Sequence, residues 1–210
     1  MTTLSAALEL HARGVSSIVK GDHSAALSYF RHALIHIRSM AQSDEESLSI
    51  TSRHSFHIRD VACTPTESQS CFRMFDRCFA IVPGEDIAKR PVEVGLDLLT
   101  GTILYNMAFV CHRESICRKQ EYSRKASRTY EMAARTLQRF ETKREVLEIL
   151  TAISNNLASL AMENFDFVSF EQHRNHMQAL LRRSALSNFD FFSANLAAAF
   201  FVRDWPAPAA

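Results

Sequence analysis

The sequence predicts an all-α fold, and three observations carry that. Gly and Pro number only five each in 210 residues, too few for the many tight turns of an all-β chain. Apolar residues recur at i, i+3, i+4 and i+7, the period of a helix with one buried face. The small/aromatic/small triplet Ala26, Phe30, Ala33 returns at identical spacing as Ala126, Tyr130, Ala133. Helices that pack closely need small side chains where the backbones approach and bulky ones where they diverge, so the triplets read as contact surfaces.

Residues 4–38 read as a helical pair. Leu4, Ala7, Leu8 and Leu10 open an apolar face that continues through Val15, Ile18 and Val19; Gly21-Asp22 breaks it, and Ala26, Leu27, Phe30, Ala33, Leu34 and Ile37 form the next face. Residues 41–97 differ: Ser, Thr, Asp and Glu dominate 42–55, and three of the five prolines fall between 65 and 91. This stretch reads as an insertion, irregular or a small β-hairpin, with Phe56 to Cys63 and Cys71 to Val82 as its extended runs. Phe75 and Phe79, at i and i+4, also fit a helix. Helix returns over 98–140, with a polar hinge expected at Glu114 to Glu121. Residues 144–163 and 166–183 form a further pair, with Asp166 as an N-cap. A last apolar helix is expected over about 188–203. The expected layout is thus one helical-repeat domain, 1–205, with units at about 4–38, 98–140 and 144–183 and a flexible tail, 206–210.

Apolar residues at 47% support a real core, and the 15 Phe residues are its aromatic filling. A formal net charge of +1 gives no global drive toward nucleic acid or an anionic membrane. Charge is uneven, however: Cys111 to Arg144 holds ten Lys/Arg and four Asp/Glu, a local +6. The N-terminus lacks a basic start followed by a long apolar run, and no stretch approaches 18 uncharged apolar residues, so neither a secretory signal nor a membrane span is expected. Five cysteines, an odd number, suggest reduced thiols and a cytoplasmic address, with the nucleus open.

The turn Gly21-Asp22-His23 and the triplet Ala26, Phe30, Ala33 resemble the tetratricopeptide repeat, a two-helix unit of about 34 residues. In the second unit Ala108, Tyr122, Ala126, Tyr130 and Ala133 match, with a turn several residues too long. In the third, Asn156, Leu157, Ala158, Asp166 and Phe167 match, but Phe170 and Met177 stand where the family uses small residues. The resemblance covers about 110 residues. It implies antiparallel helical hairpins stacked as a short right-handed solenoid. The last apolar helix would be its cap, with Phe191, Leu196, Phe200 and Phe201 covering the end.

No phosphate loop, dinucleotide turn or nucleophile elbow occurs. There is no CxxC, and Cys63, Cys71 and Cys78 are too widely spaced for a zinc knuckle. His32/His36 and His173/His176 share helical faces without an HExxH frame and read as surface histidines. Cys111-His112 are neighbours that point about 100° apart on a helix and make no dyad. Neither catalysis, a metal nor a cofactor is expected.

In the family the first helix of each unit lines a concave groove. The resemblance therefore implies a binding surface of His11, Tyr105, Asn106, Phe109, His112, Arg113, Asn155, Ser159 and Met162, with a peptide or protein segment as partner; the other reading is that Tyr105 and Phe109 simply pack against the 41–97 insertion, which must lie against something. Asn106 matches one position of the family's carboxylate clamp, but Val15 stands where its first Asn belongs. The expected function is a non-catalytic adaptor or scaffold. The alternative is an RNA-associated repeat protein using Arg124, Lys125, Arg128 and Arg135 of the basic 113–144 stretch. Self-association through the C-terminal helix is a further route to a partner.

Overall fold

The computed structural model describes residues 3–43, 56–64, 72–83, 95–118, 120–183 and 188–202. They form α1 (Thr3–Val19), α2 (His23–Ser43), β1 (Phe56–Ala62), β2 (Arg77–Pro83), α3 (Leu96–Arg118), α4 (Gln120–Leu137), α5 (Arg144–Glu163), α6 (Phe167–Leu181) and α7 (Phe189–Val202). The chain falls into two compact units: residues 1–65 with 76–140, and residues 66–75 with 141–210. The tail 206–210 lies outside the described residues.

In the first unit α1 packs on α2 and α3 on α4. On α2 the buried stripe is Ala26, Leu27, Phe30, Ala33 and Ile37; on α4 it is Ser123, Ala126, Tyr130, Ala133 and Leu137. Both triplets are therefore contact surfaces. Glycine closes each pair from the facing helix. A Cβ on Gly14 would strike the Phe30 ring, and one on Gly101 would lie 2.5 Å from Leu137 Cγ.

α3 runs on through Arg118, and α4 starts at Gln120, so most of the expected hinge at 114–121 is helix. Polar composition alone does not stop a helix; Glu and Arg are good helix formers, and no Gly or Pro intervenes. α2 likewise extends to Ser43, into the stretch read as insertion. Cys71 to Val82 is neither one helix nor one strand. Residues 72–76 have no regular structure, and β2 begins at Arg77. β1 and β2 pair antiparallel, from Phe56↔Pro83 to Ala62↔Arg77. Cys78 thus lies on a strand and not on a helical face shared with Cys71, which falls outside the described residues.

In the second unit α5 packs on α6, and α7 packs on α6. The buried stripe of α7 is Phe192, Asn195 and Ala199. The expected covering face is therefore rotated: Phe191 and Leu196 are only half-buried, and the Phe200 and Phe201 side chains lie outside the described residues.

The turns that open α2 and α6 are the same device. Gly21 N–H donates to Ile18 O and Asp22 N–H to Ser17 O; Phe165 N–H donates to Met162 O and Asp166 N–H to Ala161 O. Each pair of bonds closes a helix with one residue at positive φ. That residue is Gly21 at φ 78° in the first turn and Phe165 at φ 57° in the second. Asp22 then accepts from Ala25 N–H at 2.9 Å and Asp166 from Ser169 N–H at 3.1 Å, capping the next helix.

Candidate functional site

Burial of polar side chains locates the site. A buried amide must find partners or lose about 1–3 kcal/mol for each group left unpaired, and both units bury asparagines inside apolar helices: Asn106, Asn155, Asn156 and Asn195. All four bond to the backbone of residues 73–79 or to one another.

In the first unit β2 lies against α1 and α3. Residues along an antiparallel strand turn their N–H and C=O alternately toward and away from the partner strand. Phe79 turns both away from β1, and Asn106 takes both. Its Oδ1 accepts from Phe79 N–H at 2.9 Å, and its Nδ2 donates to Phe79 O at 2.8 Å. Asn106 thus stands in for one residue of a third strand. Two positions earlier, the Tyr105 hydroxyl donates to Arg77 O at 2.9 Å.

Asn106 Nδ2 has a second hydrogen, and His11 Nε2 lies 3.2 Å from it. The Phe79 contacts fix the amide's orientation, so His11 accepts there and is neutral, with its proton on Nδ1. His11 is fully buried, and desolvation pulls it down from 6.5 to about 4 against a smaller opposing contribution from the Phe79 backbone.

In the second unit Asn156 makes the same two bonds to Phe75. Its Oδ1 accepts from Phe75 N–H at 2.7 Å, and its Nδ2 donates to Phe75 O at 3.3 Å. Asn195 treats Arg73 alike, accepting from its N–H at 3.3 Å and donating to its O at 2.6 Å. Asn155 donates to Arg73 O at 3.0 Å and accepts from Asn195 at 2.7 Å. Phe72 meets Phe170 edge-on, with centroids 5.2 Å apart, and Phe75 packs on Phe192 at 4.9 Å.

The predicted groove residues are thus largely buried. His11, Tyr105, Asn106 and Asn155 engage the 73–79 backbone directly or through one side chain. Arg113 donates to Thr64 Oγ1 at 3.0 Å, just beyond β1. Phe109 lies beside Tyr105, centroids 6.4 Å apart, and His112 packs edge-on against Tyr130. Ser159, also buried, donates to Glu163 at 3.3 Å. Met162 is half-buried. Asn156 and Asn195 were missed as site residues. Their signal was available: an asparagine inside an apolar helical run must either break the burial or bond to something.

What the arrangement does is hold peptide backbone, each of Asn106 and Asn156 meeting both the N–H and the C=O of one residue. Among the described residues no group of three or more His, Cys, Asp or Glu could hold a metal ion, and no helix is long and apolar enough to cross a membrane. No protein-family model, curated protein or solved structure matches the chain.

Proposed function

We propose that the chain is a non-catalytic adaptor of tetratricopeptide type that binds non-helical peptide segments. Its first helices present asparagines that read peptide backbone, and its own residues 72–79 occupy those positions at rest. The observation that carries this reading is the pair of two-bond contacts, Asn106 on Phe79 and Asn156 on Phe75. A side-chain amide that satisfies both N–H and C=O of one residue demands no particular side chain from it, so a partner's segment can take the same bonds. In each unit the neighbouring ring, Phe192 beside Phe75 and Tyr105 beside Phe79, favours an aromatic residue at that position.

The test is binding of a labelled peptide of residues 70–83 to a chain whose own segment is weakened by Phe75→Ser and Phe79→Ser. Fluorescence anisotropy should show binding to that variant and far less to the wild-type chain. Adding Asn106→Ala and Asn156→Ala should abolish it. A weakened chain that keeps its helical circular dichroism yet ignores the peptide contradicts the proposal.

The RNA reading has weaker support. Arg124, Arg128 and Arg135 are exposed on α4 and fall within about 40° of one another at 100° per residue. Glu131 falls on the same stripe and interrupts it.

A further inference from the structure

A second site lies where β1 ends. The Cys63 and Cys78 sulfurs are 3.6 Å apart, both reduced. They sit on diagonal positions of one face of the hairpin, since Val61 is the register partner of Cys78. A disulfide needs about 2.05 Å between sulfurs and Cα atoms no more than about 7 Å apart, so joining this diagonal pair takes a side-chain approach together with a small backbone shift at Cys63, which lies just past the end of β1. Arg113 reaches the same place from α3. It is nine-tenths buried, yet among the described residues its Nε and Nη1 have no hydrogen-bond partner and it has no carboxylate partner. A buried guanidinium without an anion is costly. Its remaining contacts are the Thr64 hydroxyl and the Phe109 ring, 5.7 Å from the centroid.

We propose that Cys63, Cys78 and Arg113 form a redox site that reacts with hydroperoxides: Cys63 is the attacking thiolate, Cys78 the resolving thiol, and Arg113 supplies the counter-charge. This does not rest on the adaptor reading. Cys63 is the sulfur an oxidant meets, because it is 8% exposed and Cys78 not at all. The bond from Cys78 and the charge of Arg113 also lower the pKa of Cys63, while that same bond and burial raise that of Cys78. Besides Arg113, the other charge that bears on Cys63 is Asp76, which opposes ionisation. The Cys63 thiolate attacks one peroxide oxygen; the O–O bond breaks, leaving Cys63 sulfenic acid and hydroxide, which takes up the thiol's proton as water. The Cys78 sulfur then attacks the Cys63 sulfur. The S–S bond forms, and the hydroxyl departs with the Cys78 proton as a second water. Two thiols and one hydrogen peroxide become one disulfide and two waters, and a dithiol reductant reverses the change.

The test exposes the full-length chain to stoichiometric hydrogen peroxide and maps its peptides without reduction. The expected product is a Cys63–Cys78 cross-link, formed ahead of any involving Cys71, Cys111 or Cys117. In Cys78→Ser, dimedone should trap a sulfenic acid at Cys63; in Cys63→Ser, Cys78 should trap little. Arg113→Gln should slow the reaction about tenfold at pH 7 and move its pH midpoint toward that of an ordinary thiol, whereas Arg113→Lys should retain most of the rate. Circular dichroism confirms that each variant is folded. Cross-links scattered over all five cysteines, equal trapping at Cys78, or a rate indifferent to Arg113→Gln would overturn the proposal.

Discussion

The two units solve one problem by different means. Each buries a stretch of peptide that is not helical, and every buried N–H and C=O in it needs a partner. In the first unit β1 satisfies one edge of β2, and on the edge turned away Asn106 takes Phe79 N–H and C=O and Tyr105 takes Arg77 O. The second unit has no paired strand among its described residues. There three asparagines, 155, 156 and 195, hold two residues, Arg73 and Phe75.

The largest expected effect is therefore in the second unit. Asn156→Ala with Asn195→Ala strips the amide bonds from Phe75 and from Arg73 N–H, leaving only Asn155 on Arg73 O. At about 1–3 kcal/mol for each orphaned group, partly relieved by water, the loss is about 4 kcal/mol, read by urea unfolding. Asn106→Ala orphans Phe79 N–H and C=O and also His11 Nε2 and should cost about 3 kcal/mol, with the β1–β2 ladder still protected from hydrogen exchange. Equal losses would show that the paired strand contributes nothing.

Acid should separate the units next. His11 titrates at about 4 in the folded chain and near 6.5 when unfolded, so the unfolded state binds more protons between those values. The stability is complete above pH 6.5, falls as pH drops, and is lost by pH 4; at 1.36 kcal/mol per unit the total is about 3 kcal/mol. Protonation at Nε2 also removes the acceptor that Asn106 uses. His176 of the second unit, exposed on α6, is lowered in the same sense by partial desolvation, with a smaller consequence. Unfolding of wild type and His11→Gln across pH 4–7 checks this: the variant should lose most of the slope.

The matched turns give the smallest effect. Phe165 sits at positive φ with its side chain 80% exposed, so Phe165→Gly relieves backbone strain without losing packing. It should stabilise the second unit by about 0.5 kcal/mol, while Gly21→Ala should destabilise the first by about 1 kcal/mol. Thermal melts of both variants compare them.

Much of the fold was legible in the sequence. The helices announce themselves by period, and the triplets at 26–33 and 126–133 mark the packed pairs because close approach demands small residues. Gly21-Asp22 and Asp166 mark turns because a left-handed residue and an N-cap have local causes. The break between α3 and α4 does fall within the hinge expected at 114–121, but the helices run closer to it than polarity suggested, α3 to Arg118 and α4 from Gln120. The second-unit segment was not legible: residues 72–76 gain their conformation from Asn155, Asn156 and Asn195, 80 or more positions away in sequence. The resemblance drew attention to His11, Tyr105, Asn106 and Asn155, and packing of the 41–97 stretch against Tyr105 and Phe109 was one of the two readings; which backbone each asparagine holds was not legible, because no local pattern states it.

Asn106 and Asn156 hold peptide backbone within the helical framework. Hydrogen exchange at the Phe75 and Phe79 amides, resolved by NMR, tests this. Both amides should be slow to exchange in the wild-type chain. Phe79 alone should become fast in Asn106→Ala and Phe75 alone in Asn156→Ala, with the helical amides of α3 and α5 still protected. Fast exchange at both amides in the wild-type chain, beside protected helices, would contradict it.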